Sequence, residues 1–62
     1  MQLQTHVVRR GETLESIAEA YYGLPELDIY LFRHNTTVVD NPNQLYPGQI
    51  ITIPHLPKGL FD

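Results

Sequence analysis

No cysteine occurs among the 62 residues, and this absence constrains the fold more than any other single feature. A chain this short buries little apolar core and usually needs disulfides, a metal or a partner surface to hold it. Without cysteine, a disulfide framework and a Cys-based zinc site are both excluded. What remains is tight local packing of one small domain, or burial against a neighbouring protein.

The apolar pattern divides the chain into four elements. Gln4-Thr5-His6-Val7-Val8-Arg9 is β-branched and stops at Gly11, which predicts a first strand. His6 and Val8 share one face of it, Val7 and Arg9 the other. Thr13 is placed to cap a helix through its hydroxyl, and Glu12 and Glu15 put negative charge near the helix start. Leu14, Ile17, Ala18 and Tyr21 follow one helical stripe, with Gly23 as a left-handed stop. A second helix is predicted from Pro25 to His34. Leu27, Tyr30 and Leu31 form its core face, Ile29 and Phe32 flank it, and Asn35 is its left-handed terminator. Residues 36–48 read as a long polar connection with turns at Asn41-Pro42-Asn43 and Pro47-Gly48. Gln49-Ile50-Ile51-Thr52-Ile53 forms the second strand, ended by Pro54.

The expected fold is α+β, in the order β-α-α-β. The two strands pair antiparallel and rest on the helix pair, because a lone hairpin is weak. One domain spans residues 1–56, followed by an irregular tail over 57–62. The expected core is Leu14, Ile17, Ala18, Tyr21, Leu27, Tyr30, Leu31, Ile51 and Ile53.

Charge removes several function classes. The net charge is −3, and the basic residues are Arg9, Arg10, Arg33 and Lys58. Two adjoining arginines do not make a phosphate-tracking stripe, so nucleic acid is not an expected partner. No apolar run reaches membrane-spanning length, so neither is a membrane. Met1 to His6 lacks the charged and apolar regions of a secretory signal. Either the chain is a mature fragment or it is made and used without that export route; Met1 directly before the domain favours the second, so the expectation is a protein made in the cytoplasm without a signal peptide.

Catalytic and metal chemistry find no support. His6, His34 and His55 show no short ligand spacing, so no metal site or cofactor is expected. Glu12, Glu15 and Glu19 read as a solvated helix start, since paired acid and base roles need a cleft that pushes their pKa values apart. Ser16 has no nearby His–Asp system and reads as helix surface. The expectation is a protein that is not an enzyme. The off-stripe aromatics Tyr22 and Phe32 form either a second core face or a partner surface. Leu60-Phe61 is either a docking tail or a frayed terminus.

Two separated motifs carry a family resemblance. Val8-Arg9-Arg10-Gly11-Glu12-Thr13-Leu14-Glu15-Ser16-Ile17-Ala18 resembles the opening of LysM domains. Tyr46-Pro47-Gly48-Gln49-Ile50-Ile51-Thr52-Ile53-Pro54 resembles their ending, and Asn35 stands where the family usually has an asparagine. LysM domains typically bind N-acetylglucosamine-containing glycans such as peptidoglycan and chitin. By resemblance the groove has Gly11, Glu12, Thr13 and Leu14 on one wall, and Asn41, Pro42, Leu45 and Tyr46 on the other. Glu12 replaces the commoner Asp, His6 replaces a common strand aromatic, and Glu15 stands where many sugar binders place an aromatic. Tyr21-Tyr22-Gly23 with the Leu-Pro-Glu insertion resembles the small stand-alone LysM proteins of phage tails and contractile injection baseplates, the tail protein X type. That narrower resemblance implies a structural adaptor assembled into a virion tail or injection particle. Its partners would be other tail or baseplate proteins, with Tyr22, Phe32, Leu60 and Phe61 as contact candidates and peptidoglycan as a further ligand. The alternative is a carbohydrate-binding module for peptidoglycan or chitin-type glycan.

Overall fold

Helix α1 forms over Leu14–Tyr22 because its first turn is closed by side chains. The Thr13 Oγ1 accepts the Ser16 N–H at 3.1 Å, and the Ser16 Oγ accepts the Thr13 N–H at 3.0 Å. This reciprocal pair satisfies two N–H groups that a helix start otherwise leaves unpaired, and it gives Ser16 a capping role beyond surface exposure. Gly23 ends the helix at φ 76°, where a Cβ would be strained.

The computed structural model describes residues 4–56; the tail over 57–62, with Leu60 and Phe61, lies outside them. Strand β1 (Gln4–Val7) pairs antiparallel with β2 (Ile50–Ile53), with His6 opposite Ile51 and Val7 opposite Ile50. The sheet and two helices stand in the expected β-α-α-β order. β1 ends earlier than predicted because Arg9 already opens a turn, although Val8 still donates to the Gln49 carbonyl at 2.8 Å.

The second helix departs from the prediction. It is a 3-10 turn over Pro25–Leu27 followed by a short α2 over Asp28–Arg33. Neither piece has a side-chain N-cap bond, so the first turn tightens instead of running as one α-helix. His34 closes α2, its Nδ1 donating to the Tyr30 carbonyl at 2.9 Å.

Asn35 is the larger correction. Its φ is negative, since positive φ among the described residues occurs only at Gly11, Gly23 and Gly48. It is 3% exposed, and its amide works as a strand mimic. Nδ2 donates to the Leu31 carbonyl at 2.7 Å and the Thr52 carbonyl at 3.0 Å, while Oδ1 accepts the Thr52 N–H at 2.7 Å. One side chain therefore caps α2 and pairs with the outer edge of β2. A buried amide is tolerated there because its donors and acceptor find partners.

The core is Val8, Leu14, Ile17, Ala18, Leu31, Val39, Ile51 and Ile53. Val39 was hidden in the connection read as polar. The N–H groups of Val38 and Val39 both donate to the Asn35 carbonyl, at 3.0 and 2.8 Å, and this turn swings Val39 inward. Tyr21 and Leu27 are half-buried and pack on the core rather than inside it. Tyr30 is half-buried as well. The two tyrosines stay near the surface because their hydroxyls need polar partners, His6 for Tyr21 and the His55 carbonyl for Tyr30.

Candidate ligand-binding loops

The chain between β1 and α1 is a tight turn. Glu12 N–H donates to the Arg9 carbonyl at 3.1 Å, and Gly11, at φ 86°, takes the position of a type II turn that demands positive φ. The Glu12 carboxylate folds back over the turn. It accepts the Arg9 N–H at 2.6 Å and meets His6 Nε2 at 2.8 Å. These bonds, the one from His6 first, hold the Glu12 carboxyl below its ordinary pKa.

The chain before β2 is fixed in the same manner. Asn41 Oδ1 accepts the Asn43 N–H at 2.9 Å, and the Asn41 carbonyl accepts the Gln44 N–H at 3.0 Å. A second turn follows over residues 46–49, with Gly48 at φ 91° and Gln49 N–H donating to the Tyr46 carbonyl at 3.2 Å. The Gln49 amide braces both sides of this loop. It accepts the Tyr46 N–H at 2.7 Å and donates to the Val38 carbonyl at 2.9 Å.

The two loops meet at Val8. Gly48 N–H donates to the Val8 carbonyl, and Val8 N–H to the Gln49 carbonyl, each at 2.8 Å. Gly11, Thr13, Asn41 and Tyr46 are exposed, whereas Glu12, Pro42 and Leu45 are half-buried. Leu14 is 1% exposed, so it supports the first loop from inside and offers no wall to a ligand. Tyr46 is 56% exposed and is the aromatic surface this end presents. Turn backbone beside an exposed ring can give directional N–H and C=O contacts with an apolar platform.

The opposite end of the sheet is aromatic. Tyr22 donates its hydroxyl to the Pro54 carbonyl, and Tyr30 donates to the His55 carbonyl at 2.8 Å. The Tyr22 and Tyr30 rings meet edge to face, 6.0 Å apart. Burial, with a smaller contribution from Tyr30, pushes the Tyr22 phenol up to about 12. A depression of about 260 Å³ opens there, lined by Gln4, Tyr21, Tyr22 and residues 53–56. None of the loop residues borders it. Concavity and the resemblance-derived site thus point to different ends, and the loops carry more weight because their surface offers polar groups in fixed directions. Tyr22 and Phe32 are half-buried and pack against the core.

One constellation went unread in the sequence. His6 bridges Glu12 and Tyr21, its Nδ1 lying 2.9 Å from the Tyr21 hydroxyl and its ring edge-on to the tyrosine at 5.4 Å. The inward phase of His6 beside Val8 was the available signal. Glu15 and Glu19 stay exposed on α1. Among the described residues no three His, Asp or Glu side chains converge as metal ligands, and no helix is long and apolar enough to cross a membrane.

The family model of the LysM domain matches residues 6–54, which takes in both loops and the whole sheet-facing core. The chain is also similar to the potassium binding protein Kbp of Escherichia coli (strain CFT073). The two are 35% identical over 51 residues, covering 82% of this chain and 34% of that protein. This chain thus spans about a third of the relative's length.

Proposed function

The chain belongs to the LysM domain family, and from that premise we propose that it is a non-catalytic binding module for an N-acetylglucosamine-containing glycan such as peptidoglycan. The observation that carries this reading is the junction at Val8, where two internally braced loops are hydrogen-bonded to each other at 2.8 Å. Loops fixed before a ligand arrives lose little entropy on binding. Gly11, Thr13, Asn41 and Tyr46 are the surface positions that meet the sugar; Glu12, Pro42 and Leu45 shape the walls. Backbone groups hold the acetamido substituents, and the Tyr46 ring supports a sugar face. No step of bond cleavage belongs to this reading, since Glu12 is committed to His6 and Arg9.

Titration of the 15N-labelled chain with N-acetylglucosamine oligomers tests it. Saturable amide shifts confined to residues 11–13 and 41–49 are expected. Absence of saturable shifts with both oligomers and peptidoglycan fragments overturns it.

A second reading is the structural adaptor of a phage tail or contractile injection baseplate, made in the cytoplasm and assembled into the particle. It draws on the cross-strand pair Val7 and Ile50, which are 55% and 60% exposed on the outer sheet face. Incorporation of the chain into assembled particles, abolished by charged residues at Val7 and Ile50, is the outcome that favours this reading over the glycan module.

A further inference from the structure

His6 touches both halves of the molecule. Its Nε2 faces the Glu12 carboxylate at 2.8 Å, and its Nδ1 faces the Tyr21 hydroxyl at 2.9 Å. The partners fix the chemistry. A carboxylate only accepts, so Nε2 carries a proton. A phenol hydroxyl both donates and accepts, so Nδ1 can be bare and receive the Tyr21 proton, or protonated and donate to the Tyr21 oxygen. Rotation of one O–H switches between these arrangements without moving a heavy atom.

We propose that His6 is the positioning residue of the ligand loop, clasping residues 9–13 to helix α1 through Glu12 on one side and Tyr21 on the other. The inference rests on the proposed glycan site only for its functional consequence; the clasp itself is a property of the free chain. Glu12 is the middle member, because the same Oε1 that meets His6 also holds the Arg9 N–H at 2.6 Å. Cutting His6 out frees Glu12 to leave the turn, and the turn then loses its brace at Arg9. The groups that meet the imidazole are Glu12 from the loop and Tyr21 from α1, and its cross-strand neighbour on β2 is the apolar Ile51.

The side-chain contacts explain why a histidine suits this position. A phenylalanine there keeps the edge-on packing against Tyr21 but makes neither bond. A lysine supplies charge without a second acceptor for Tyr21. The imidazole is 17% exposed and the Glu12 side chain 28%, so water reaches the pair and proton exchange with solvent is open.

Two measurements on the intact chain test this, neither requiring ligand. The first is the long-range 15N spectrum of the neutral His6 ring. The neutral ring is expected as the Nε2–H form. A neutral Nδ1–H form overturns the proposal. The second is hydrogen exchange at the Arg9 amide in His6→Phe and Tyr21→Phe. Protection is expected to fall about tenfold or more in the first and several-fold in the second. Unchanged Arg9 protection in a folded His6→Phe overturns the proposal. If His6→Phe does not fold, Tyr21→Phe decides alone, since it removes only one hydroxyl. Oligosaccharide binding to the same variants separates the two readings. A weakened Arg9 brace in a chain that never bound glycan leaves the clasp standing and removes the glycan site.

Discussion

The two ends of the sheet are built on opposite terms. At the turn end, main chain bonds to main chain and short polar side chains brace it: Gly11 and Gly48 adopt positive φ, and Glu12, Asn41 and Gln49 hold the turns. At the aromatic end, tyrosine rings close the core and spend their hydroxyls on the carbonyls of Pro54 and His55. The first end leaves directional polar surface outside and the second hides its polarity. This small domain therefore separates exposed backbone polarity from aromatic packing along the sheet, and His6 with Tyr21 is where the two meet.

The largest perturbation should blur that separation. Ile17 sits in the core between the ends, and Ile17→Ala is expected to cost about 2–5 kcal/mol. That approaches the whole stability of a domain of this size, roughly 0.05–0.15 kcal/mol per residue. Chemical denaturation should find both ends lost together; a variant that melts like the parent would remove Ile17 from the core.

Gly48→Ala acts on the turn end alone. A Cβ there meets no atom within 4 Å, so the cost is backbone strain at positive φ, about 1–2 kcal/mol. Amide shifts should cluster in residues 46–49 and around Val8, with the tyrosine signals undisturbed. Spread of the shifts to Tyr22 and Tyr30 would show that the ends are not separable.

The smallest effect belongs to Tyr22→Phe, expected to cost about 1 kcal/mol for the hydrogen bond to Pro54. Its pH signature is more specific. The folded phenol ionises near 12 against an ordinary value of 10.0. The unfolded chain therefore loses its proton first as pH rises, and stability present below pH 10.0 is lost on the way to about 12. Tyr22→Phe should flatten that alkaline loss, and ultraviolet titration should count one late-ionising tyrosine fewer.

Elements whose causes are local were legible before the chain was folded. The Thr13 cap, the Leu14-Ile17-Ala18 stripe, the Gly23 stop and the Pro47-Gly48 turn all act within a few residues, and each stands where the pattern puts it. Two separated motifs in order were enough to identify the family. The remaining features depend on how distant segments close on one another. Asn35 reads as a helix terminator until β2 arrives beside it, because pairing with Thr52 spans seventeen residues. Val39 looks polar by its neighbours and becomes core because a turn at Asn35 aims it inward. Leu14 matched a groove position by resemblance, and the helix phase that made it core also withdrew it from the surface. His6 and Glu12 stand on either side of a turn, and Tyr21 comes to them only when α1 folds back along the sheet. Contacts set by the closing of the chain cannot be read from spacing, since the chain must first be placed in three dimensions before distant side chains share a bond.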